Sequence, residues 1–271
     1  MALPMSHWHL VALVYFSYLS VLALSSDRFT RARWPALLAT AAIGALAAIG
    51  PAAAAGLAAQ VVIPSLVLLV AYWVSGLYFT RPMTAVERRL LRMDDELLGR
   101  TGILRWYRSG PRVVREYFEV AYLLVYAVVP AGAAVLALNG MMDAVARYWL
   151  VVLLAELVCY GMLPWVQTRS PRSIEDVDAK GAGASLIRRC NLAVLGRGSI
   201  QANTIPSGHA AGATAVALAV ASAMPVAGAV FLVLAASITI ATVLGRYHYV
   251  ADSVLGVLVA AAAWGAVSLA T

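Results

Sequence analysis

Two short polar stretches, IPSGH at residues 205–209 and RYHYVAD at residues 246–252, organise the C-terminal third of the chain, and each opens an apolar run. The second stretch places His248 and Asp252 four residues apart. At this spacing two side chains lie on one face of a helix, so the carboxylate can hold the imidazole in one tautomer and orientation. A neutral histidine held in this way can act as a nucleophile or as a base.

The first stretch offers a complementary group of hydrogen-bond donors. It leads straight into an apolar helix, whose first backbone N–H groups have no partner within the helix. The Ser207 hydroxyl, the Gly208 amide and the His209 imidazole all lie at this point of the sequence. Because helix N-termini bind anions, the stretch predicts a phosphate site.

Histidines can also mark the ends of membrane spans without any chemical role, and an HxxxD pattern can arise by chance. The chain has four histidines, of which His7 and His9 lie at the N-terminus. The other two both fall within the polar stretches. This distribution favours a functional role for His209 and His248.

The composition is that of a membrane protein with several spans. The chain has 271 residues, of which 62% are apolar and 12% charged, and its mean hydropathy is +0.83. These values lie outside the range of soluble domains. The net charge of +7 comes from basic residues between the apolar runs rather than from one soluble domain. We therefore expect anionic lipid headgroups as partners and no nucleic acid.

Apolar runs of about 20 residues can cross a membrane as helices, and the sequence contains eight candidates. Residues 84–98 place apolar and charged side chains at nearly helical spacing, which predicts an amphipathic helix on the membrane surface. The sequence therefore predicts an all-α integral membrane protein. The expected spans are residues 8–24, 35–60, 61–78, 118–138, 144–165, 207–226, 228–244 and 250–269.

The two polar stretches resemble the second and third signature motifs of the type 2 phosphatidic acid phosphatase superfamily. This superfamily also includes vanadium haloperoxidases and the sphingolipid and inositol phosphorylceramide synthases. The resemblance implies that His248 attacks phosphorus, that Asp252 orients it and that His209 protonates the departing oxygen. Ser207 and the Gly208 amide would then bind the phosphate oxygens as charge develops.

The resemblance also implies a six-span core, to which this chain adds about two N-terminal spans. We expect residues 1–60 to form the added transmembrane helices and residues 61–271 to form the core. The core would carry its motifs at residues 168–172, 205–209 and 246–252. A weaker similarity, of ERRLLRMDDELLG at residues 87–99, points to bacterial relatives of the inositol phosphorylceramide synthases.

The expected phosphate ligands also include arginines, because a guanidinium group binds two oxygens and stays charged. The first motif of the superfamily pairs a lysine with a downstream Arg-Pro, whereas this chain has TRSPR at residues 168–172 and only one lysine, Lys180. We expect Arg172, and after it Arg169, to take the place of the motif arginine. Either residue could instead be a positive charge beside the membrane.

The third motif differs as well. The arginine of the family lies six residues before the histidine, where this chain has Thr242. We therefore expect Arg246 to supply that contact. The basic residue just before the motif, with an aromatic residue directly before the histidine, is similar to the pattern of the sphingolipid synthase branch. This similarity supports a phosphotransferase as an alternative to a lipid phosphate phosphatase.

An alternative from another class is a proton-coupled transporter in which Glu156, His248 and Asp252 relay protons. Glu156 lies well inside the fifth predicted span, where an ionisable group is costly and often functional, although it could also join helices. Since nearly all other ionisable residues lie at span ends, a relay is less favoured. No metal or cofactor is expected, because Asp252 is explained as the partner of His248.

The distribution of basic residues predicts the orientation. Of the 20 Lys and Arg residues, all but Arg147 fall on the side of the membrane that carries the motifs. The positive-inside rule makes that side cytoplasmic, although many members of the superfamily act on the outer face. We expect a multi-pass protein of the cell (inner) membrane with its site at the cytoplasmic face.

Overall fold

The computed structural model describes residues 7–49, 56–175 and 185–270, and these residues form thirteen α-helices. A 3₁₀ helix follows α1 at Asp27–Ala32, and a π-helical turn continues α4 at Asp95–Gly99. The α-helices are α1 His7–Ser25, α2 Arg33–Ile49, α3 Leu57–Gly76, α4 Thr84–Asp94, α5 Ile103–Ser109, α6 Arg112–Leu123, α7 Val125–Leu138, α8 Met142–Gly161, α9 Pro171–Glu175, α10 Leu186–Gly198, α11 Gly208–Ala223, α12 Pro225–Leu244 and α13 Val250–Ala270.

The all-α membrane architecture predicted from the sequence is confirmed. Within the described residues, α1, α3, α12 and α13 are each long and apolar enough to cross a membrane. The pair α6 and α7, bent by 59°, makes a fifth span if it is counted as one. The other three predicted spans correspond to α2 and α11, which have 17 and 16 residues, and to α8, which carries three charged side chains.

The second predicted span is wrong in its extent. Residues 35–60 are not one helix: α2 ends at Ile49, and residues 57–60 already belong to α3. The part from 50 to 55 lies outside the described residues. Gly56, the N-cap of α3, has an extended backbone with φ of −92° and ψ of 144°, so α3 begins as a separate helix.

Helix α11 lies at the centre of the bundle, where it packs against α7, α8, α12 and α13. Its inward residues are mainly alanine and glycine, which let neighbouring backbones approach closely. One close approach is at Gly256 of α13, where a Cβ atom would lie only 2.5 Å from the carbonyl oxygen of Ser207. This contact brings the RYHYVAD stretch against the IPSGH stretch. Helix α1 packs against α8 as well as α2, and the division at residue 60 stays a prediction.

At the site end of the bundle, a buried glutamine joins the connections that follow α3 and α8. The side-chain oxygen of Gln167 accepts hydrogen bonds from the backbone N–H groups of Thr80 and Arg81, at 2.8 and 3.0 Å. Its Nε2 donates to the carbonyl oxygen of Tyr78 at 2.9 Å. The TRSPR motif, which begins at the next residue, is thereby held in a fixed place.

Candidate active site

His248 and Asp252 form the pair that the sequence predicts. Nδ1 of His248 lies 2.9 Å from Oδ2 of Asp252, and both side chains are buried. His248 precedes α13 rather than lying within it, because the helix begins at Val250. Since a carboxylate only accepts hydrogen bonds, it holds the proton on Nδ1. The lone pair of the ring is then on Nε2, the nitrogen that can attack an electrophile.

Asn203 is a second partner of Asp252, and sequence reasoning missed it. Its Nδ2 donates to Oδ2 of Asp252 at 2.7 Å, and its backbone N–H donates to the carbonyl oxygen of Thr168 at 2.7 Å. The backbone N–H of Ser207 donates to the carbonyl oxygen of Asp252 at 2.9 Å. Asp252 therefore connects all three motif regions.

Both histidines line one small cavity. Its volume is about 40 Å³, and both imidazoles, Arg172 and Asn203 line it. The ring centroids of His209 and His248 are 5.3 Å apart. About 10–15 Å³ of such volume accommodates one water molecule, so the cavity has room for a group of the size of phosphate.

Ser207 and Gly208 lie behind the wall of this cavity. Ser207 is the N-cap of α11, and its hydroxyl oxygen accepts a hydrogen bond from the N–H of Ala210 at 3.3 Å. The N–H of Gly208 donates to the hydroxyl oxygen of Thr204 at 3.1 Å. Neither residue lines the cavity, and their contact with phosphate stays a prediction.

Among the three predicted arginines, the structure brings only Arg172 to the cavity. Arg169 instead forms a bidentate ion pair with Glu87 of α4. Its Nη2 donates to Oε2 at 2.8 Å, and its Nε donates to Oε1 at 3.1 Å. Burial raises the pKa of the Glu87 carboxyl, but the hydrogen bonds and charge of Arg169 outweigh this effect and hold the pKa below its usual value. The pair fixes the TRSPR loop to α4.

Arg246 is directed away from the cavity. Its φ of +59° lies in the left-handed region, and its side chain is 1% exposed. Nη1 donates to Asp94 at 2.6 Å, and Nε and Nη2 donate to Glu175 at 3.0 and 2.6 Å. Because two carboxylates occupy the guanidinium group, it is not placed to bind phosphate. Its carbonyl oxygen accepts a hydrogen bond from the N–H of Arg172 at 2.9 Å, so Arg246 supports the arginine that does line the cavity.

Two tyrosines form the wall beside His209. The hydroxyl of Tyr122 lies 3.3 Å from Nε2 of His209, and the Tyr122 ring stacks on Tyr247 at 3.6 Å between centroids. Tyr247 donates to Glu119 at 2.7 Å and accepts a hydrogen bond from Arg188 at 2.7 Å. Tyr247 adjoins the motif histidine in sequence, but nothing in the sequence indicates its partners.

No group of three His, Cys, Asp or Glu side chains in the described part of the chain is arranged to hold a metal ion. The fold and the paired histidines define an all-α membrane protein with a candidate phosphate-transfer site. A family model described as the PAP2 superfamily matches residues 88–266, which include both histidine stretches. The chain therefore belongs to the type 2 phosphatidic acid phosphatase (PAP2) superfamily, a family of phosphatase and phosphotransferase type. No curated protein and no solved structure gave a match.

Proposed function

We propose that the protein is an integral-membrane lipid phosphate phosphatase, which hydrolyses a lipid phosphomonoester or pyrophosphate through a phosphohistidine intermediate. The observation that carries this proposal is that His248 and His209 line one small cavity, with ring centroids 5.3 Å apart. Asp252 holds His248 at 2.9 Å, and Arg172 adds positive charge to the cavity wall. Membership of the PAP2 superfamily supports the reaction class.

In the proposed reaction, Nε2 of His248 attacks phosphorus while the bond from phosphorus to the leaving oxygen breaks. His209 gives that oxygen a proton, and Arg172 stabilises the charge on the phosphate oxygens. A water molecule then attacks the phosphohistidine, and His209 takes a proton from this water. The bond from phosphorus to nitrogen breaks, which releases phosphate and restores neutral His248.

A phosphotransferase of the inositol phosphorylceramide synthase type is the second candidate. In that reaction an acceptor alcohol replaces water in the second step and follows the path by which the first alcohol left. A larger cavity of about 370 Å³ meets the site at His209 and offers space for such an acceptor. Whether free phosphate or a new lipid forms distinguishes the two reactions.

The test is an assay of the purified protein in detergent with phosphatidic acid, phosphatidylglycerol phosphate, polyprenyl phosphates and a phosphoinositol lipid. Each substrate is supplied with and without a lipid alcohol. We expect the wild type to release phosphate and His248→Ala to lose turnover by on the order of a thousandfold or more, because the nucleophile is gone. His9→Gln, at a histidine of α1, serves as the matched control. Turnover that survives in His248→Ala would rule out the phosphohistidine mechanism.

A further inference from the structure

A second cavity adjoins the candidate active site. Its volume of about 370 Å³ is within the range of about 300–1,000 Å³ that is typical of small-molecule sites. His209, Tyr72, Tyr160 and Ser199 line both cavities, whereas His248 lines only the small one. The two cavities therefore meet on the His209 side of the site.

This arrangement assigns the larger cavity to the alcohol part of the substrate. In phosphoryl transfer the attacking and leaving groups lie roughly in line on opposite sides of phosphorus. If His248 attacks from one side, the leaving oxygen is on the side of His209, where the larger cavity begins. Most of its wall is apolar, as suits a lipid alcohol, and includes Leu68, Leu69, Val125, Val129 and Pro130.

The cavity also opens towards the surface that faces lipid. Leu69, Trp73 and Tyr126 line it and are about half exposed, with 45%, 51% and 45% of their surfaces accessible. In a membrane helix, exposed apolar side chains of this kind face the acyl chains. An alcohol bound in the cavity can therefore extend its own chains into the bilayer between α3 and α7.

One carboxyl group interrupts the apolar wall. Glu156 of α8 lines the cavity and is only 5% exposed, and its Oε2 has no hydrogen-bond partner in the described part of the chain. A Cβ atom at Gly208 would lie 3.1 Å from Oε2, and one at Gly212 would collide with Oε1. The carboxyl group thus lies against the first turns of α11, next to His209.

A buried acceptor without a partner costs free energy, so it is normally satisfied by a donor. The residues that line this cavity include no lysine or arginine. The Tyr160 side chain bonds to the Glu156 carboxyl, and Oε2 is the oxygen left without a partner. The cavity itself is the open side from which a donor can arrive. A ligand group there would lie close to the ester oxygen that His209 is expected to protonate.

We propose that the larger cavity binds the alcohol part of the substrate and that Glu156 accepts a hydrogen bond from a hydroxyl or amide N–H group of that alcohol. The substrate is then the phosphate ester of a lipid alcohol that carries a second hydrogen-bond donor near the ester oxygen. This inference rests on the proposed function, because it uses the direction in which the leaving group departs.

The test uses a substrate pair that differs by one donor: a 1-acylglycerol 3-phosphate with a free 2-hydroxyl group, and its 2-O-methyl ether. A buried acceptor that loses its donor costs enough free energy to change a rate about tenfold. We expect the wild type to have a kcat/KM about tenfold higher for the hydroxyl substrate. Glu156→Met, which keeps the side-chain length but removes the acceptor, should bring the two values within about twofold by lowering only the hydroxyl value.

Further variants make the result decisive. Val158→Met, on the exposed side of the same helix, should keep the full preference. Glu156→Gln keeps the shape of the side chain and one acceptor oxygen, and should keep the preference. Glu156→Leu, which also removes the acceptor, decides the matter if Glu156→Met does not fold. A purely structural role for Glu156 would lower turnover of both substrates equally.

The outcomes separate this inference from the proposed function. Equal kcat/KM values for the two substrates in the wild type, with phosphate release that depends on His248, would overturn the inference alone. A preference that persists in Glu156→Met or in Glu156→Leu would also overturn it. Absence of His248-dependent turnover of either substrate and of the whole lipid panel would overturn the proposed function and the inference with it.

Discussion

Asn203 is a positioning residue for the nucleophile. It donates to the same oxygen of Asp252 that binds His248, at 2.7 Å, and it is 2% exposed. A hydrogen bond to a charged group contributes about 1.5–3 kcal/mol, which corresponds to about ten- to hundredfold in rate. We expect Asn203→Leu to lower kcat for phosphate release by that factor while KM changes little. Asn139→Leu, at an exposed asparagine after α7, should leave kcat unchanged. If Asn203→Leu changes KM and keeps the kcat of the wild type, the positioning role is contradicted.

The side chains of the site differ in how far the sequence could predict them. His248 and Asp252 are predictable because their contact is local, four residues apart. Asn203 and Tyr122 reach their partners across 49 and 87 residues, and only the tertiary packing of the helices brings them there. Arg246 lies near His248 in sequence, yet its left-handed backbone sends the guanidinium to Asp94, which is 152 residues away.

Helix α4 is attached to the TRSPR loop by the pair of Glu87 and Arg169. Because the pKa of Glu87 is lowered in the folded protein, its contribution to stability is complete above the unfolded pKa of about 4.3 and is lost as the pH falls through the lower, folded pKa. We expect Glu87→Gln to lower the Tm in detergent at pH 7, and the difference from the wild type to shrink below about pH 4.3. Glu96→Gln, at an exposed position beyond α4, is the control and should not change the Tm. A difference that stays constant across this pH range would show that the charge of Glu87 does not stabilise the fold.

Helices were predictable where one apolar or amphipathic pattern was enough. The spacing of residues 84–98 predicts a helix that the structure contains as α4 and the π-helical turn after it. The limits of α2 and α3 were not predicted, because an Ala/Gly-rich sequence is equally apolar on both sides of a break. The bend between α6 and α7 could not be predicted from hydropathy either, because the residues on both sides of the bend are apolar.

The connections of the bundle gather at one end, next to the site. Arg28, which follows α1, donates a hydrogen bond to the hydroxyl of Thr80, which follows α3, at 2.9 Å. Gln167, which follows α8, accepts a hydrogen bond from the backbone N–H of Thr80. Arg246, after α12, bonds to Asp94 of α4. This arrangement agrees with the sequence argument that the basic connections share one side; Lys180 lies outside the described residues. Hydropathy and charge could predict this grouping because each span reverses the direction of the chain.

The orientation of the protein is testable with its own cysteines. Cys190 of α10 is exposed at the site end, and Cys159 is buried in α8. If the basic end is cytoplasmic, as the positive-inside rule predicts, a membrane-impermeant maleimide should label Cys190 only after the cells are permeabilised. Cys190→Ser should abolish this labelling, because a buried thiol does not react.

The position that corresponds to Cys190 at the opposite end of the bundle is Asn139, an exposed residue that follows α7. In a Cys190→Ser background, Asn139→Cys should be labelled in intact cells. If Cys190 reacts in intact cells and Asn139→Cys does not, the site faces outward. The basic side chains at that end would then attract the anionic substrate lipid and would not determine the topology. A phosphate site needs positive charge on its own side of the membrane.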